Sequence, residues 1–158
     1  MDPLSELLGG NSRPKPRLAH GHPVAAVLTC MDARIDPLEV FGRGPGELYC
    51  VRTAGHVPGP EVTGSLEIGL AAGCPLVLVL GHTDCAAVKL ARKGAREHYS
   101  VTRHILWATR SLPETASLDE AAEANVRFAV TELRSRLKGR VEGAMLDLAT
   151  GRVRALSC

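Results

Sequence analysis

Apolar side chains gather into three short continuous runs, Val24 to Leu28, Leu48 to Val51 and Leu76 to Leu80, each bounded by Gly, Pro or polar residues. Runs of that length without polar alternation predict strands buried on both faces, as in a parallel sheet. Between the first and second, Asp36 stands as an N-cap and Pro37 takes the first helical position, which predicts a short helix from Asp36 to Phe41. Between the second and third, Pro60 to Ala72 carries Val62, Leu66, Ile68, Leu70 and Ala71 and is followed by Gly73, the pattern of a helix closed by a glycine. Strand, helix, strand, helix, strand implies right-handed crossovers and an α/β fold.

Beyond the third run, Asp84 to Lys93 and Thr102 to Arg110 have helical character. Ser117 is then placed as the N-cap of a longer helix reaching about Lys138. Leu118, Ala121, Ala122, Val126, Ala129, Val130, Leu133 and Leu137 follow the 3.6-residue period of its buried face. The tail, Val141 to Leu148 and Val153 to Leu156 around Thr150 and Gly151, reads as strand, turn, strand. Residues 1–23, rich in Pro, Gly and basic residues with a small apolar patch at Leu4, Leu7 and Leu8, read as an N-terminal arm. Residues 24–158 are expected to form a single α/β domain.

Composition narrows the classes of function. Of 158 residues 45% are hydrophobic and 23% charged, the balance of a soluble globular chain. A net charge of +2 with 3% aromatic residues offers no basic, stacking surface, so no nucleic-acid partner is expected. No apolar run approaches the roughly 20 residues that cross a bilayer, so no membrane span is expected. Met1, Asp2 and Pro3 open no secretion signal, and a cytoplasmic location follows as the expectation. Five cysteines are an odd set for a disulfide framework, and in a reducing compartment they would be thiols or metal ligands.

Two clusters carry the candidate chemistry. Cys30 ends the first strand and is followed at two-residue steps by Asp32 and Arg34; His82 and Cys85 follow the end of the third strand. In an open sheet whose order reverses beside the first strand, these two strand ends flank the switch point where ligands bind. Two thiolates and an imidazole suit zinc, and three protein ligands leave a fourth position open, as a catalytic site requires. An open zinc brings the pKa of its water towards neutrality and so supplies a nucleophile. Asp32 and Arg34 point to the same side while the segment is extended. Arg34 would keep Asp32 ionised, and the carboxylate would orient the zinc-bound hydroxide by accepting its hydrogen. Two other classes stay open on the residues alone: metal-free thiol catalysis, with Cys30 as nucleophile and His82 as base, and a non-catalytic zinc-binding protein.

Cys30, Met31, Asp32, Ala33, Arg34 followed by Gly81, His82, Thr83, Asp84, Cys85 resembles the paired signature of beta-class carbonic anhydrases. The likeness extends to Arg52, Thr53, Ala54 and Gly55, to the helix containing Ser65 and Leu66, and to the final hairpin, covering roughly Val24 to Leu156. It implies a central, mostly parallel sheet of about four parallel strands plus a C-terminal antiparallel strand, flanked by helices. It also implies Zn2+ on Cys30, His82 and Cys85, an Asp32 and Arg34 dyad, and reversible hydration of carbon dioxide to bicarbonate and a proton. A homodimer or higher homo-oligomer is implied as well. Hydrolysis of carbon disulfide or carbonyl sulfide on the same fold is the alternative. Thr53 stands where the family usually has Asn, and Ala86 where it usually has Gly.

The remaining polar residues carry plainer expectations. His56, after the Gly55 turn, is a candidate proton relay from the metal's water to buffer. Cys50 and Cys74 are expected as small buried hydrophobes, and Cys158 as an incidental thiol. His20, His22, His98 and His104 are expected in solvent. Gly42, Gly44 and Gly46 lack a following Lys and Ser or Thr and read as a plain loop. Lys89, Arg92, Lys93, Arg96 and Arg103 read as a solvated basic face.

Overall fold

The computed structural model describes residues 3–4, 21–94 and 100–158. The arm expected over residues 1–23 therefore lies mostly outside the described residues, as do His20, Arg96 and His98. Five strands form one sheet: β1 (Ala25–Cys30), β2 (Leu48–Thr53), β3 (Val77–His82), β4 (Val141–Leu146) and β5 (Val153–Leu156). Their order is β2-β1-β3-β4-β5. The first four are parallel and β5 runs antiparallel to β4, which is the sheet expected from the sequence.

All six residues of β1 are buried, and so are all but Leu78 of β3, because these strands have neighbours on both edges and helices on the faces. That is the setting in which a strand reads as an unbroken apolar run. β2 differs from expectation. It is an edge strand whose residues are part-buried or exposed, and Tyr49, Cys50 and Arg52 face solvent. Its letters resemble those of β1, but among the described residues it has one neighbour instead of two. Cys50, expected in the core, is therefore exposed, whereas Cys74 is buried as expected.

The helices are α1 (Pro37–Val40), α2 (Pro60–Ala71), α3 (Ala86–Arg92), α4 (Ser100–Ala108) and α5 (Leu118–Arg136), and a short 3-10 turn spans Ala54–His56. Asp36 caps α1 by accepting from the Leu38 amide at 2.9 Å, with Pro37 in the first turn. Ser117 and Glu120 form a reciprocal capping box at the start of α5, which fixes where that helix begins. Below the cap, Ala121, Ala122, Val126, Ala129, Val130 and Leu133 bury the apolar stripe. α3 begins two residues later than expected. Asp84 adopts a left-handed backbone, φ 58°, which a right-handed helix cannot include. Among the described residues no helix is long and apolar enough to cross a membrane.

Candidate metal centre

β1 and β3 lie side by side and parallel, so their carboxyl ends share one edge of the sheet. Cys30 is the last residue of β1, His82 the last of β3, and Cys85 caps the N-terminus of α3. Their Sγ and ring-nitrogen atoms all lie within 4.8 Å of one another, and all three residues are buried. The sequence places Cys30 more than fifty positions before His82 and Cys85, and the strand order joins them.

The donor set fits a metal ion on its own chemistry. His82 Nδ1 is 2.8 Å from the Thr83 carbonyl oxygen. A carbonyl only accepts, so Nδ1 carries the ring's hydrogen and Nε2 is left with a bare lone pair. That Nε2 is buried without a hydrogen-bond partner, at a cost of about 1–3 kcal/mol unless something electropositive meets it. A backbone carbonyl on the far nitrogen is the usual support of a metal-ligating histidine. The sulfurs respond to each other: Cys85 holds the Cys30 thiol well below its ordinary range, and Cys30 pushes Cys85 well above it, as one proton shared between two sulfurs requires. The Gly55 amide also donates to Cys30 Sγ at 3.4 Å. A metal ion taking that proton's place would meet two thiolates.

Beside this cluster, Asp32 and Arg34 pair in a two-pronged geometry. Arg34 Nε donates to Asp32 Oδ1 at 2.9 Å and Nη2 to Oδ2 at 2.7 Å, while the Arg34 amide reaches Oδ1 at 3.0 Å. These bonds hold the Asp32 carboxyl well below the usual carboxylate range. Arg34 is braced in turn by Asp84 Oδ2 at 3.0 Å, and Lys89 pairs with the same carboxylate. Asp32 is directed at Arg34, and among the described residues the group that could hold a metal ion comprises Cys30, His82 and Cys85.

A cleft of about 510 Å³ reaches Cys30 and Asp32 between α3 and α4, walled chiefly by Met31, Ala54, Ala87, Leu90 and Val101. Ala86, where the family usually has Gly, adds its methyl to this wall. The other departure, Thr53, donates its hydroxyl to the Val57 carbonyl at 3.2 Å and closes the turn after β2.

Other expectations change. His56 has no exposed surface, and burial takes its pKa down to about 3. It is a neutral core residue without the solvent face or near-neutral pKa that a relay to buffer uses. His104 is also largely enclosed, stacked edge-on against Phe128 with Nδ1 3.6 Å from Glu132; His22 is exposed as expected. The glycine loop is plain: the Gly44 amide is occupied by the Glu47 carboxylate. Of the basic stretch, Lys89 is tied to Asp84 and Arg92 to the Glu114 carbonyl.

Three supporting residues were given no role by the sequence reading. Arg52 binds the carbonyls of Cys30 at 3.1 Å and Asp32 at 2.6 Å, fixing the strand end between them. Asp84 steadies Arg34. Asn125 reaches from α5 to the Gly55 and His56 turn. Arg52 and Asp84 stand in the stretches that carry the resemblance, and Asn125 left a signal of its own: a polar residue three positions after Ala122 and four before Ala129, on the buried stripe.

Residues 25–153 match the family model described as carbonic anhydrase. Carbonic anhydrase 2 of Mycobacterium tuberculosis is 41% identical over 70 residues, covering 44% of this chain; the match spans about a third of that relative's length, 34%. The carbonic anhydrase of Pseudomonas aeruginosa is 30% identical over 161 aligned positions, covering 85% of this chain and 73% of that one. Among solved structures, one of two tetrameric beta-carbonic anhydrases from Sordaria macrospora superposes with a TM-score of 0.72 at 18% identity, over 98% of this chain and 86% of its own. On the family match and the shared sheet topology, the chain belongs to the beta-carbonic anhydrase family.

Proposed function

We propose that the chain is a zinc enzyme that hydrates carbon dioxide reversibly to bicarbonate and a proton, with Cys30, His82 and Cys85 holding the ion. Two sulfurs, an otherwise unpartnered imidazole nitrogen and an adjoining apolar cleft form the observation that carries this reading. Bound there, zinc supplies a Lewis acid that makes a water-derived nucleophile available near neutral pH. The chain's own residues do the rest. Arg34 keeps Asp32 ionised, so the Asp32 carboxylate can accept a hydrogen bond from that nucleophile and turn its lone pair towards the carbon. Arg52 and Asp84 keep this pair registered against Cys30. The small apolar side chains of the cleft suit a linear, uncharged gas, and Asp32 lines the same cleft beside Cys30. The reading includes a homo-oligomer, in keeping with the tetrameric relative from Sordaria.

Metal content and stopped-flow carbon dioxide hydration, measured together on the intact chain and on Cys85→Ser, test this. The intact chain should carry about one zinc per protomer and turn over; Cys85→Ser should lose both. Zinc bound at full occupancy without turnover of carbon dioxide would sink the catalytic reading, and turnover of carbonyl sulfide in its place would move the substrate.

A further inference from the structure

Asn125 projects from the middle of α5 into the core and has no exposed surface. Its side-chain nitrogen donates to the Gly55 carbonyl at 2.9 Å and contacts His56 Nε2, also at 2.9 Å. An amide nitrogen only donates, so His56 Nε2 accepts and the ring's hydrogen lies on Nδ1. Both hydrogens of one side chain thus grip two consecutive residues. Those residues are in the left-handed region, Gly55 at φ 63° and His56 at φ 48°, a conformation uncommon for a residue with a side chain. Gly55 is also the residue whose amide donates to Cys30 Sγ.

We propose that Asn125 is a positioning residue for the metal: by gripping Gly55 and His56 from α5 it holds the turn that keeps the Gly55 amide on the Cys30 sulfur. This rests on the reading that Cys30 is a zinc ligand. Hydrogen bonds to a ligating sulfur draw charge from it and fix its direction, and outer-shell partners of this kind tune metal affinity. Packing alone does not account for the choice of residue. The position lies on an otherwise apolar stripe, and the hydrogen bonds that Asn125 makes are those of its nitrogen, with Oδ1 left without a partner.

The test uses the full chain loaded with zinc, or with cobalt as a spectroscopic substitute. In Asn125→Leu, zinc should pass to an excess of a chromophoric chelator about 10- to 100-fold faster than in the unaltered chain. The sulfur-to-cobalt charge-transfer band should move to longer wavelength as the thiolate loses its hydrogen bond. Leu133→Ala, buried on the same helix but away from the turn, controls for general loosening and should move neither readout below its melting temperature. Asn125→Asp, nearly the same shape with the donor nitrogen removed, should fall in the same direction and serves if Asn125→Leu does not fold. Wild-type release and an unmoved band in the Asn125 variants would overturn the proposal, as would equal changes in Leu133→Ala. An unaltered chain that takes up neither metal would overturn it together with the zinc reading, whereas normal loading with unmoved variants sinks this proposal alone.

Discussion

Below the ordinary pH range of histidine, an unfolded chain takes up a proton that the buried His56 of the folded chain refuses. The folded pKa is near 3 and the ordinary value 6.5, so between them the unfolded state binds more protons and stability rises with pH. The contribution is complete above about pH 6.5 and is lost as pH falls towards about 3, with a limiting slope of roughly 1.4 kcal/mol per pH unit. Urea midpoints of the metal-free chain across this window should therefore fall more steeply with acid than those of His56→Gln; parallel curves would place the acid sensitivity elsewhere. Asp32 calls for a different variant. Arg34→Met removes both prongs from its carboxylate, so its pKa should return towards the usual carboxylate range and the acid limb of activity should move to higher pH. Turnover near neutrality should drop about 10- to 100-fold with zinc content unchanged. Loss of zinc alongside turnover would make Arg34 a structural support rather than an orienting group.

At the scale of elements, the site depends on how closely α5 lies against β3. A Cβ on Gly81 would stand 2.3 Å from Val126 Cγ2 and 2.8 Å from Met145 Sδ, so only glycine admits this approach, one residue before the His82 ligand. Gly81→Ala should cost about 1–3 kcal/mol of stability as an overpacked core position. It should also weaken zinc retention because His82 must move with its strand; thermal unfolding of the metal-free chain and zinc release measure the two effects separately. β1 and β3 were legible because a central strand with helices on both faces buries nearly every side chain, and their ends pointed to the candidate ligands. β2 misled because Leu48, Tyr49, Cys50 and Val51 carry the same apolar letters at a sheet edge. The supports of the site were illegible for a related reason. Arg52 acts through backbone carbonyls and Asp84 through a left-handed bend, and neither leaves a period in the sequence; His56 looked like a titrating group because nothing in its neighbours' letters announces that it is fully enclosed.

For the molecule as a whole, the exposed edge is the feature that a lone chain manages poorly. Among the described residues β2 presents six residues with no strand beyond it in the sheet, and Tyr49 and Cys50 lie exposed along it, with Ile68 of α2 72% exposed nearby in sequence to the Gly69 that Tyr49 packs against. Soluble proteins usually guard such an edge with charge, proline or a bulge. The one charge within β2, Arg52, is spent on the carbonyls of Cys30 and Asp32. A stable pairing buries on the order of 1,600 Å² in total, more than one strand supplies, so the neighbouring face of α2 must contribute as well. The chain should therefore sediment at a multiple of its own mass. Tyr49→Lys with Ile68→Glu should shift it towards the single-chain mass, while Arg152→Glu, exposed at the far edge by β5, should not. Because Arg52 ties this edge directly to Cys30 and Asp32, the dissociated chain should also lose carbon dioxide turnover before it loses zinc. Sedimentation at the mass of one chain with full activity would separate the edge from the catalyst altogether.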